Sequence, residues 1–199
     1  MTSVDVLVEG LLDAEVARKL LLHCELSPGT VYGQRGWSYI QQKVDGFASS
    51  QSPLFALVDF MDTGAPCAGE IVSTWLTGQY ANCVFRVVNR EIESWLLADR
   101  ESMAKFLHVP ASKITLQPDN VHDPKLELTN LARRSRSSAI RNGFIPRQGV
   151  SASEGPTYTA SLTDYCANLW RPEVAAENSP SLAKCITRLL EMRARLLGK

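Results

Sequence analysis

The sequence predicts an α/β fold: a parallel sheet of about four strands flanked by helices, followed by a helical C-terminal extension. Two observations lead there. Short apolar runs rich in strand formers, at residues 3–8, 30–32, 54–58 and 81–88, alternate with segments whose apolar residues recur at helical spacing, and that alternation is the signature of a parallel sheet with crossover helices. The runs at 3–8 and 54–58 are also nearly continuous in apolar character, as strands buried on both faces are. Each of these two then stops on a carboxylate, in SVDVLVEG and in LFALVDFMDTG.

Taking the elements in order, the strand ending at Glu9 passes through Gly10 into a helix with Leu11, Leu12, Val16, Leu20 and Leu21 at near-helical spacing. The strand 30–32 leads through Gly33 and Gly36, which flank Arg35, into a helix carrying Trp37, Ile40, Val44 and Phe47. Glycines at such a turn allow close approach of a phosphate or of another backbone, and Arg35 can clamp a phosphate bidentately; the spacing is neither a Walker loop nor GxGxxG. After the strand 54–58, Asp59 projects from the sheet edge. Asp62 follows in a turn closed by Gly64, placed either to join Asp59 or to cap the helix over 68–76. The strand 81–88 leads to NREIESWLLAD, where Asn89 is a candidate cap and Glu91 lies in the first turn. Glu91 and Glu93 diverge by about 200° on a helix, so at most one faces the acidic edge. Glu91, nearer the strand end, is the choice.

In open α/β sheets ligands bind at the carboxyl ends of the strands. If the two acid-terminated strands are neighbours, Glu9, Asp59 and Asp62 meet at one edge, with Glu91 as a further candidate. Mg2+ takes hard oxygen ligands and retains several waters, so two or three carboxylates suffice to hold it. The edge is therefore expected to bind a divalent metal, Mg2+ or Mn2+.

At 199 residues and 45% hydrophobic, the chain can bury one substantial core with an appendage. The expected partition is an α/β domain over 1–109 and a mostly helical extension over 110–199. Net charge is zero, so any attraction to nucleic acid depends on a local patch. Five cysteines without CxxC or Cys/His ligand spacing point to a reduced, cytoplasmic protein without structural zinc. No apolar run approaches the roughly 20 residues a membrane-spanning helix needs. His23, His108 and His122 share no ligand or triad spacing.

The C-terminal half supplies the patch. Lys125, Arg133, Arg134, Arg136, Arg141 and Arg147 face a single acid, Glu127, over positions 125–147. Such a stretch can neutralise several phosphates without reading sequence, or it can be a solvated helix face paired with the acidic edge. Beyond it, Gly155 and Tyr158 lie on a loop able to reach over a site, Tyr158 being either a base-stacking or a packed residue. Helices are expected around Leu162–Leu169 and Leu182–Met192.

VLVEG, the aspartate ending the third strand, and the REIESWLLAD run together resemble Toprim-like domains. More closely, they resemble a small bacterial Toprim-like family related to OLD-type nucleases and often found near ATPases in phage-defence or mobile loci. That resemblance spans residues 3 to about 100. It implies Mg2+-dependent phosphodiester chemistry on DNA or RNA, with Glu9 as the family glutamate and Asp59 as the first aspartate of Asp-x-Asp. Met61 stands where the second aspartate would be, and Asp62 falls one residue late. DPK at 123–125 matches the same family and implies that Lys125 approaches the acidic site, where an ammonium stabilises charge developing on phosphate.

The expected function is accordingly a Mg-dependent nuclease of defence type: Glu9, Asp59 and Lys125 catalytic, Glu9, Asp59, Asp62 and Glu91 metal-holding, and Arg35, Arg133, Arg134, Arg136 and Arg141 on the nucleic acid, with an ATPase partner. The alternatives are a catalytically silent Toprim-like module that binds nucleic acid or protein, and a phosphohydrolase acting on a small nucleotide.

Overall fold

The computed structural model describes residues 3–50, 52–147, 149 and 152–198. The chain forms two compact units, Met1–Asn89 with Ser181–Lys199, and Arg90–Pro180.

In the first unit the four apolar runs form strands β1 (Ser3–Val8), β2 (Ser27–Gly33), β3 (Leu54–Asp59) and β4 (Cys83–Val88). All pair in parallel, in the order β2-β1-β3-β4. The sheet and its helices are thus the predicted α/β architecture. β3 is buried along its whole length, which accounts for its unbroken apolar sequence. Helices α1 (Leu11–His23), α2 (Trp37–Ala48) and α3 (Ala68–Trp75) connect the strands. Leu7, Leu54, Ala56 and Val58 pack with Ile40 and Val44 of α2 and with Ile71 and Trp75 of α3. Strand alternation sends Phe55 and Leu57 to the other side. Asp45 of α2 clasps the loop before β4, accepting from Thr77 N at 2.7 Å and Tyr80 Oη at 2.7 Å. The Thr77 amide, then the Tyr80 hydroxyl, lower its pKa below the usual carboxylate value. The final helix, Pro180–Leu196, buries Leu182, Cys185, Leu189 and Met192, and its Arg193 pairs with Glu25 of the first unit.

The second unit is helical: α4 (Glu93–Ala98), α5 (Arg100–Leu107), α6 (Pro124–Arg133), α7 (Ser138–Phe144), α8 (Tyr158–Asn168) and α9 (Pro172–Asn178), with the final helix numbered α10. The expected single helix after Asn89 is two. α4 begins at Glu93 rather than next to Asn89, and Asp99 interrupts it, capping α5 by accepting from Ser102 N at 3.4 Å. Asp99 is 0% exposed and receives the Arg171 guanidinium at 2.6 and 2.9 Å and the Arg171 amide at 3.0 Å. Trp170 Nε1 donates to Trp95 O at 3.1 Å, fixing the ESWLLAD segment in the core of this unit. Among the described residues no helix is long and apolar enough to cross a membrane.

Candidate metal and phosphate site

Strand order decides where a ligand would sit. The chain leaves β1 for β2 on one side and returns to β3 on the other, so the crossovers diverge between β1 and β3. That switch point is where open α/β sheets leave a crevice at the carboxyl ends of their strands. Glu9 follows β1 and Asp59 ends β3, so both acids stand at it. Glu9 Oε1 accepts a hydrogen bond from the Asp59 amide at 2.7 Å, and Asp59 is buried, at 8% exposure. The two chain segments, 50 residues apart, thus converge at one edge.

The β2–α2 loop folds over the same strand end. Gln34 N donates to Val8 O at 2.8 Å and Gly36 N to Glu9 O at 3.2 Å. This path requires positive φ at Gly33 (95°), Gln34 (58°) and Gly36 (76°). A Cβ on Gly33 would meet Val8 O at 2.3 Å, so glycine there serves close backbone approach. Arg35 projects from the loop, exposed, its guanidinium 5.5 Å from the centre of the Tyr39 ring. Stacking of this kind holds a guanidinium while leaving its donors available.

Asp62 lies in the 3-10 turn Met61–Thr63 and is exposed. It does not cap α3, whose N-cap is Cys67, with no side-chain capping bond; Thr63 Oγ1 instead accepts from Ala65 N at 3.3 Å inside the turn. Among the described residues no group of three or more His, Cys, Asp and Glu is arranged to hold a metal ion. The edge thus offers the Glu9 and Asp59 carboxylates, a donor set that suits a hard ion keeping most of its waters.

One acid of this unit escaped the sequence reading. Asp13 is buried in the first turn of α1, its Oδ2 3.2 Å from where a Gly10 Cβ would stand. The Gly-x-x-Asp spacing at a strand-to-helix turn was the available signal.

Within the second unit Lys125 is enclosed by carboxylates. Its Nζ lies 3.2 Å from Glu154 and 3.9 Å from Glu91, and its amide donates to Glu91 Oε2 at 3.0 Å. Glu91 therefore engages Lys125 from both oxygens. Glu93, passed over in favour of Glu91 in the sequence reading, is 3% exposed and accepts from Tyr158 Oη at 3.1 Å. Burial opposes the Lys125 charge, but Glu93, Glu154 and Glu91 outweigh it and hold the ammonium pKa above its ordinary range. Tyr158 is itself 2% exposed: it is a packed residue, which excludes it from base stacking. Burial, then Glu93, raises its phenol pKa strongly.

The chain matches no family model, no curated protein and no solved structure.

Arg133 and Arg134 are exposed at the end of α6, and Arg136 is exposed in the segment before α7. Arg133 Nη1 donates to Asn130 Oδ1 at 2.6 Å, and the half-buried Arg141 donates to Ser135 O at 2.5 Å. Among the described residues these two arginines thus donate to neutral oxygens.

Proposed function

We propose that the protein is a Toprim-like, Mg2+-dependent phosphodiester hydrolase acting on nucleic acid, Mn2+ serving in place of Mg2+, and that it works in the cytoplasm as a defence-type effector coupled to a partner ATPase. The observation that carries this reading is the meeting of Glu9 and Asp59 at the switch point of a parallel sheet. In it, Glu9 and Asp59 hold the ion, with Asp62 as a further ligand; Glu91, engaged with Lys125, is not used. The bound ion supplies Lewis-acid activation of water and neutralises charge on the leaving oxygen. Arg35, poised on Tyr39, clamps a phosphate beside the acidic edge. Arg133, Arg134, Arg136 and Arg141 bind the nucleic-acid backbone without reading bases.

The test is incubation of plasmid, linear DNA and tRNA with Mg2+ or Mn2+. Cleavage that disappears in Asp59→Ala supports the mechanism, and cleavage unchanged in that variant overturns it.

A second reading, a catalytically silent binding module, draws on Met61 in place of the second aspartate and on the lack of a three-ligand group among the described residues. It expects a mobility shift of DNA or RNA without cleavage, weakening steeply with salt and lost when Arg133, Arg134 and Arg136 are neutralised.

A further inference from the structure

The second unit contains an open cleft of about 700 Å³, of whose lining residues only Arg136 has a role above. Its walls are Lys105 and Glu101 of α5, His108, the Val109–Pro110 turn and Arg136. These walls are held together by main-chain and buried contacts. His108 ends α5 at φ 52°, and Arg136 N donates to His108 O at 3.2 Å, locking the segment before α7 against the end of α5. On the other side, Arg100 donates to Ala111 O and Ile114 O, each at 3.1 Å, and fixes the turn that follows Pro110.

Three nitrogen-bearing side chains, an ammonium, a guanidinium and an imidazole, thus line one concavity with a single carboxylate. Guanidinium and ammonium groups together favour a phosphate dianion, the first by bidentate hydrogen bonding and the second as a point charge. Glu101 adds an acceptor for hydroxyl groups, and Val109 and Pro110 add apolar wall. The volume lies within the range of roughly 300–1,000 Å³ that small-molecule sites occupy. We infer that this cleft binds a small phosphomonoester bearing hydroxyl groups, of the nucleoside monophosphate or sugar phosphate class, with Arg136 and Lys105 on the phosphate. The assignment does not depend on the hydrolase reading.

Calorimetric titration of the full chain with inorganic phosphate, ribose 5-phosphate and AMP tests it. Both organic phosphates are expected to bind more tightly than inorganic phosphate, and the tighter of the two identifies the class. Arg136→Gln and Lys105→Gln, both at exposed positions, should each weaken that binding by about tenfold, as loss of a charged hydrogen bond does. Asp59→Ala should leave it unchanged. Absence of binding at millimolar ligand by a chain with native circular dichroism would overturn the inference. So would binding insensitive to both cleft substitutions, and binding lost in Asp59→Ala would reassign the ligand to the acidic edge.

Discussion

The carboxylate of Glu9 accepts the amide proton of Asp59 at 2.7 Å, so the end of one strand is fixed by the side chain that follows its neighbour. Two acids thereby stand at one sheet edge, where the proposed ion would sit. Glu9→Gln preserves an acceptor for the Asp59 amide while removing a charge. It should weaken Mn2+ binding roughly tenfold to a hundredfold while leaving the urea midpoint of the metal-free protein close to that of the wild type, because an acceptor for the Asp59 amide is kept. Mn2+ titration by electron paramagnetic resonance and urea unfolding read the two effects. Unaltered Mn2+ affinity would remove Glu9 from the ion.

Gly33 and Gly36 both have positive φ, but only at Gly33 does backbone occupy the space a Cβ would need. Gly36→Ala should cost only the left-handed conformation, about 1–2 kcal/mol. Gly33→Ala should cost more, because it also pushes the Arg35 loop off Val8. Urea midpoints of the two variants give the order, and equal losses would mean that the loop does not depend on its contact with the end of β1.

The acidic edge was legible because both of its strands are apolar runs broken by one acid, and a local pattern of that kind survives folding. Burial of Glu93 was not legible: its partner Tyr158 lies 65 residues away, and two glutamates at i and i+2 look solvated when helix geometry is the only guide. The Asp99 interruption was hidden for a similar reason. ESWLLADRESMAKFL reads as one continuous helical pattern until Arg171, 72 residues on, is seen to bind the aspartate between its halves. Return of the C-terminal helix to the first unit is likewise a long-range pairing that an ordinary amphipathic pattern does not encode.

The thiols offer a test of packing. Cys67 is exposed, whereas Cys24, Cys166 and Cys185 are buried and Cys83 is half-buried. Burial raises the pKa of Cys24 to about 11 and those of Cys83 and Cys185 to about 12, which leaves little thiolate, the reactive form, at neutral pH. Labelling of the native protein with a disulfide reagent at pH 8 should therefore show one fast thiol, absent in Cys67→Ser, and the remaining four only on unfolding. Two or more fast thiols in the native protein would contradict the burial of Cys24, Cys83, Cys166 or Cys185.

Lys125 gives the pH-dependent prediction. Its ammonium sits among Glu91, Glu93 and Glu154, and its pKa is raised in the folded state. A raised value means that the stabilisation is complete below the ordinary lysine pKa of about 10.4 and is lost as pH climbs through the folded value. At pH 7 the interaction is at full strength. Lys125→Met removes the cation from among three carboxylates and should destabilise the second unit by about 1–3 kcal/mol, the range for loss of hydrogen bonds to charged groups. Proton uptake relieves the excess negative charge left in the cluster, so the deficit should shrink as pH falls from 7 to 5. Lys125→Met combined with Glu93→Gln should recover part of the loss at pH 7, because the buried charge is gone. Urea unfolding of wild type, single and double variants at pH 5 and pH 7 reads all of these effects. A deficit independent of pH, or a double variant no more stable than Lys125→Met, would show that packing of the lysine stem rather than its charge holds this cluster.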